Sequence, residues 1–428
     1  MARVSIKPVH FAALLVAMLS GPAAKAEEYK VRTFTKIHIT DKFYSEGAYY
    51  GDFNKDGKMD VVSGPFWYEG PEFKKSHEIY PVKAFDPHGY SENFVCYTHD
   101  FNGDGWTDVL VLGFPGKESY WYENPQGKEG HWKRHVAVKV TDNESPTFGD
   151  LTGDGKSEII FHTGGVLGWA EPNWKDATQP FTVRGLSPKG GWQRFTHGYG
   201  FGDVNGDGRM DILEKDGWWE QPASLEGDPQ WKRHVRPFGQ GGAQMYAYDV
   251  DGDGDNDVIT SLQAHNFGLS WFENTGKSDK GEINFKEHRI MGSKPEENKY
   301  GVKFSQLHAV DLVDMDGDGV KDIITGKRYW AHGPKGDAEP DAPAVVYWFK
   351  TVRSGTPGTP GKAGEVDFIP YLIDDNSGVG TQVAAADVNG DGLPDIVVGN
   401  KKGTFVHLQS VKEVTKAEWE AAQPKAIK

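Results

Sequence analysis

Asp203-Val204-Asn205-Gly206-Asp207-Gly208-Arg209-Met210-Asp211 decides how the rest of the chain is read, and the apolar pair Ile212-Leu213 follows it directly. Asp203, Asn205, Asp207 and Asp211 place side-chain oxygens at positions 1, 3, 5 and 9, with Gly208 at position 6. Oxygens at alternate positions of a sharply turned loop suit a hard cation such as Ca²⁺, which takes roughly 6–8 of them. Gly208 turns the backbone without a Cβ clash, so the carbonyl of Arg209 can add a further ligand. One such loop is an ordinary turn, because Asp, Asn and Gly are common turn residues. Recurrence gives it weight.

The frame occurs seven times. Its ligand positions are Asp52, Asn54, Asp56 and Asp60, then Asp100, Asn102, Asp104 and Asp108, then Asp150, Thr152, Asp154 and Glu158. After the Asp203 loop come Asp249, Asp251, Asp253 and Asp257, then Asp314, Asp316, Asp318 and Asp322, then Asp387, Asn389, Asp391 and Asp395. The third loop, with Thr152 and Glu158, departs most and ranks as the weakest site. Successive loops start 48, 50, 53, 46, 65 and 73 residues apart, the spacing of a four-stranded propeller blade with two later insertions.

Each loop lies between a short strand and an apolar β-branched run, as at Val109–Leu112 and Ile396–Val398. A third strand carries aromatics such as Trp67-Tyr68, Trp121-Tyr122 and Trp218-Trp219, expected to pack blade against blade rather than form a sugar platform. A fourth reads Trp132-Lys-Arg-His-Val136 or Trp231-Lys-Arg-His-Val235, its Arg-His pairs expected to be solvated edge residues. The prediction is an all-β, seven-bladed β-propeller over residues 27–408. The N-terminal strand at 34–39 closes the last blade and removes an open edge. Residues 409–428 read as a C-terminal tail with a short helix.

Arg3 and Lys7, the apolar run Phe11–Leu19 and Ala24-Lys25-Ala26 read as a secretory signal peptide over 1–26, which places the protein outside the cytoplasm, secreted or periplasmic. That run is too short to span a bilayer, and no later segment is long enough. A single Cys96 excludes an intramolecular disulfide framework. Removing Arg3, Lys7 and Lys25 takes the formal charge from −15 to −18, which argues against a nucleic-acid partner. The ligand positions hold 23 of the 62 acidic side chains, so the acidity reads as a requirement for up to seven structural Ca²⁺ ions.

Loops with nearly full ligand shells are poor catalysts, so a site is expected on the opposite face. The links there carry His88 and Tyr90, His162, His265, and Lys327-Arg328 leading to His332, while the channel strands add His197 and His308. Histidines converging on one mouth suit general acid–base chemistry. There is no Gly-x-Ser-x-Gly elbow, Cys96 falls on a core strand, and no His-x-x-x-His helix announces zinc. Proton abstraction beside a carbonyl followed by β-elimination fits best. It needs a His or Tyr base and Arg328, Lys327 or a separate divalent cation to hold the enolate. The alternative is a non-catalytic, calcium-dependent carbohydrate- or protein-binding propeller.

The repeated loop with its following apolar strand resembles the FG-GAP/VCBS repeat family. More narrowly, Tyr90-Ser-Glu-Asn-Phe94, His99-Asp-Phe-Asn-Gly-Asp-Gly105 and Trp121-Tyr-Glu-Asn-Pro125 resemble the propeller domain of the aldos-2-ulose dehydratase family. Members of that family eliminate water from 1,5-anhydrofructose and related 2-keto sugars, giving enones. The resemblance implies that His88, His162, His197 and His265 supply the base and its helpers, with individual roles open. The family's cupin domains have no counterpart here, so any isomerase step they carry is expected to be absent. The expected function is a secreted lyase acting on a small keto-sugar or keto-glycoside.

Overall fold

The apolar run after each nine-residue loop forms a buried strand, and the carboxylate at position 9 ties it down. In the computed structural model, which describes residues 29–354 and 365–427, Asp211 accepts from Val204 N at 2.9 Å through Oδ2 and from Gln221 N at 2.9 Å through Oδ1. Asp60, Asp108, Asp257, Asp322 and Asp395 do the same. Position 9 therefore clamps the loop's second residue to the end of the third strand.

Among the described residues the strands form seven antiparallel meanders. The first comprises Tyr49–Gly51, Asp60–Ser63, Phe66–Tyr68 and Ser76–Glu78. The second and third share the long strand Lys133–Gly149. The fourth starts at Tyr199–Gly202 and the fifth at Gln244–Tyr248; these two strands pair in parallel. Gly200 permits that approach, since a Cβ there would lie 1.9 Å from the Met245 carbonyl oxygen. The sixth begins at Val310–Val313 and the seventh at Val383–Ala386.

Successive meanders bury apolar faces against one another, and the third-strand aromatics fill these interfaces as expected. Trp67 and Tyr122 share one cluster, Trp169 and Trp219 another, and Trp348 and Phe405 a third. A further cluster joins Val388, Val397 and Val406 of the seventh meander to Val61 and Tyr68 of the first. The N-terminal strand Tyr29–Thr40 pairs along Gly403–Val414, from Tyr29 opposite Val414 to Thr40 opposite Thr404. The chain is thus an all-β, propeller-like molecule.

Two details depart from the sequence reading. Strand Gly403–Val414 runs beyond residue 408, because its outer half finds a partner in residues 29–34; helix Lys416–Ala422 follows, capped by Thr415. The outer-strand histidines are not all solvated: His135 and His234 are 7% and 8% exposed. Each lies flat on a neighbouring tryptophan, Trp121 or Trp218, and bonds a glutamate, Glu123 or Glu220. The segment 1–26, expected to be a signal peptide, lies outside the described residues, among which no helix is long and apolar enough to cross a membrane.

Candidate functional site

The nine-residue loops leave the carboxyl ends of the inner strands, and a histidine cluster gathers at the other ends. His197 and His308 precede inner strands Tyr199–Gly202 and Val310–Val313, while His265 lies in the turn after Asp257–Ser261. One ring nitrogen from each lies within 4.8 Å of the others. Ring centroids are 4.9 Å apart for His197 and His265, and 4.8 Å for His265 and His308. His308 Nε2 is buried without a hydrogen-bond partner among the described residues. His308 Nδ1 faces the Gln306 carbonyl at 3.3 Å, which sets the proton on Nδ1 and leaves the Nε2 lone pair free. Burial, reinforced by Arg328 and the other two imidazoles, holds His308 well below the usual histidine range, so it is neutral. Three converging imidazoles are a donor set that a divalent transition metal accepts.

Carboxylates flank the cluster. His197 Nε2 lies 3.4 Å from Glu144 Oε2, and His265 Nδ1 lies 3.2 Å from Asp337 Oδ1, both as ion-pair contacts. Burial raises Glu144, but His197 and Arg328 outweigh it and bring its carboxyl down to about 2. Asp337 also bonds His332 Nδ1 at 2.8 Å. Burial raises Asp337 too, but its contacts to His265 and His332 hold it well below the usual carboxylate range. The insertion carrying His332 and Asp337 is fastened by Gln306, whose φ of +62° turns its amide group onto Ala331 N and the Ala338 carbonyl.

Beneath the histidines, Arg328 is 1% exposed and bridges Glu46 Oε2 at 3.0 Å and Glu144 Oε2 at 3.2 Å. Burial lowers its pKa, but the two carboxylates raise it beyond the usual arginine value, so it stays charged. Lys327 is fully enclosed, its Nζ 3.4 Å from the Pro340 carbonyl. Burial brings it down to about 8, against the pull of Asp337, Glu339 and Asp341. Neither cation reaches solvent, so both position the site from below rather than contact a ligand.

The other sequence-selected residues are not members of the three-histidine group, though Tyr90 lies within electrostatic reach of Arg328, Glu144 and Asp337. Tyr90 is an exposed rim residue with the Lys401 ammonium 4.5 Å above its ring. His88 is exposed, bonded to Asp86 at 2.9 Å, with Trp330 nearby. His162 is enclosed opposite Asp142 with both ring nitrogens unpartnered. Burial drops its pKa to about 4. Between pH 6.5 and 4 the unfolded chain therefore takes up a proton that the folded chain refuses, and stability falls as pH drops through that window. His162→Gln is expected to lessen this acid loss by on the order of 3 kcal/mol, read as melting temperature at pH 7 and pH 4.5.

Sequence reasoning missed Glu46, Glu144 and Asp337. Ser45-Glu46 and Glu144-Ser145 both lead into inner strands, the one signal that could have found them.

At the opposite ends, the fifth and sixth loops converge most clearly. Asp249, Asp251 and Asp257 each offer a carboxylate oxygen within 4.8 Å of the others, as do Asp314, Asp316 and Asp322. Asp251 Oδ2 and Asp316 Oδ1 are buried without a partner among the described residues, which suits a cation. In the sixth loop the Lys350 ammonium already reaches Asp316, and lies 3.1 Å from Asp318.

Residues 100–161 match the FG-GAP-like repeat family and residues 379–408 match the FG-GAP repeat family. FG-GAP repeats are therefore present in this chain. No curated protein matches it. Among solved structures, an Agrocybe aegerita lectin that recognises non-reducing terminal N-acetylglucosamine is 16% identical over 74% of this chain and 85% of its own, with a TM-score of 0.42. An auxiliary nutrient-binding protein from Bacteroides ovatus ATCC 8483 is 8% identical over 71% of this chain and 66% of its own, with a TM-score of 0.40.

Proposed function

We propose that the chain is a secreted or periplasmic seven-bladed propeller, closed by its N-terminal strand and stiffened by Ca²⁺ in the nine-residue loops. Its histidine cluster acts as a lyase site for a keto-sugar or keto-glycoside, in line with the resemblance to aldos-2-ulose dehydratase. The cluster shared by the seventh and first meanders supports closure. The observation that carries the chemistry is the convergence of ring nitrogens of His197, His265 and His308 within 4.8 Å, beside a His332–Asp337 pair.

A divalent cation held by His197, His265 and His308 would supply Lewis-acid polarisation of the substrate ketone. The chain's own groups do the rest. Asp337 accepts a hydrogen bond from Nδ1–H of His332, which leaves the Nε2 lone pair as the base for the α-proton. The C–H electrons pass to the carbonyl as an enolate, and their return expels the β-oxygen. Tyr90 is suited to protonate that leaving oxygen, because burial raises its pKa and keeps the hydroxyl protonated. Arg328 holds Glu46 and Glu144 beneath the histidines and so fixes where His197 stands.

Proton NMR of a keto-glycoside in deuterated buffer tests this reading. The protein is expected to speed exchange of the α-proton. Saturable binding with no exchange would sink the lyase and favour the non-catalytic carbohydrate-binding propeller.

A further inference from the structure

A groove on the flank of the first two meanders has the chemistry of a second saccharide site. Tyr44, Tyr80, Phe85, Tyr120 and Tyr122 wall a cavity of about 370 Å³, and none of its lining residues belongs to the histidine cluster. That volume is near the small end of ligand cavities, about 300–1,000 Å³, and suits one or two sugar rings. Tyr80 and Tyr122 stack at 4.7 Å, while Tyr44, Phe85 and Tyr120 are half-buried. Such rings offer faces to the C–H side of a pyranose.

Two polar groups in the wall keep unused bonding capacity. Asn93 is 2% exposed, and its Oδ1 has no hydrogen-bond partner among the described residues. Its Nδ2 reaches only the Tyr80 hydroxyl, at 3.5 Å. A buried carbonyl oxygen without a donor is costly, and a sugar hydroxyl supplies the donor. Arg134 is the second: its guanidinium lies 4.4 Å above the Tyr120 ring and enters no ion pair among the described residues. The nearby cation Lys83 is neutralised by Glu92 at 2.5 Å, and His131 faces Glu78 at 3.1 Å. Glu118 accepts from the Tyr120 hydroxyl, so Arg134 is the groove cation without a carboxylate partner of its own, and a guanidinium pairs best with a carboxylate.

We propose that this groove binds a uronate pyranoside, its ring on Tyr120, a hydroxyl on Asn93 Oδ1 and its carboxylate on Arg134. This site does not depend on lyase activity at the histidine cluster.

Calorimetric titration of the full chain with methyl β-glucuronide and methyl β-glucoside tests it. Wild type is expected to bind the glucuronide saturably and more tightly than the glucoside. Tyr120→Ala should weaken both by about tenfold. Arg134→Gln should cost the glucuronide about tenfold and leave the glucoside unchanged. His197→Ala should leave both affinities unaltered. Failure of the folded wild type to bind either glycoside overturns the proposal. So does binding that survives Tyr120→Ala and Arg134→Gln but disappears in His197→Ala. Equal affinity for the two glycosides overturns the uronate assignment.

Discussion

Arg328→Leu is expected to destabilise the folded chain by about 3–5 kcal/mol, a large share of the roughly 5–15 kcal/mol typical of a domain. Arg328 is the cation bonded to Glu46, which is itself fully buried, and it reaches Glu144 as well. Leucine would leave two carboxylates enclosed without a counter-charge, and their desolvation would no longer be offset. The three residues come from widely separated stretches, so the loss would loosen the first, third and sixth meanders together. Arg328→Lys should recover little, because an ammonium lacks the planar fork that serves two carboxylates at once. Combining Arg328→Leu with Glu46→Gln should regain part of the loss. Thermal unfolding of the three variants checks this order; a melting temperature for Arg328→Leu equal to wild type would show that the network is not structural.

Removing divalent cations should have an effect of similar size. An ion that binds only the folded chain stabilises it by about 2.7 kcal/mol when its concentration is a hundred times Kd. Several loops contribute at once, so excess chelator should lower the melting temperature steeply and Ca²⁺ should restore it. The loops are not equivalent. The fifth has Asp249, Asp251 and Asp257 converging with Asp251 Oδ2 unpartnered, whereas the sixth has the Lys350 ammonium against Asp316. Asp251→Ala should therefore remove more of the Ca²⁺-dependent stabilisation than Asp316→Ala. Lys350→Ala should strengthen Ca²⁺ binding at the sixth loop. A melting curve indifferent to chelator would count against structural calcium.

The loops were legible because each packs its chemistry into nine consecutive residues, and local spacing there dictates geometry. The same holds for the aromatic third strands, whose burial follows from alternation on a strand. The site was legible only in part. His197 and His265 stood out as polar residues at the ends away from the loops, but sequence distance hides which links meet. His162 looked equivalent to them, yet register places it opposite Asp142 and outside the three-histidine group. Lys327 and Arg328 were expected to hold the enolate; both are enclosed among acidic groups from distant links and the insertion. The edge histidines were misread for a related reason. A Trp on the adjacent strand provides a flat apolar surface that pairing register, not composition, brings beneath His135 and His234.

The most direct measurement is ultraviolet absorbance of an enone during incubation with 1,5-anhydrofructose or a 3-keto-glucoside. Wild type supplied with divalent cation should generate the absorbance. His332→Ala should lose about 10²–10⁴-fold in rate, the usual worth of a positioned base, with its melting temperature unchanged. A folded, cation-loaded wild type that produces no enone from any keto-sugar would contradict the account.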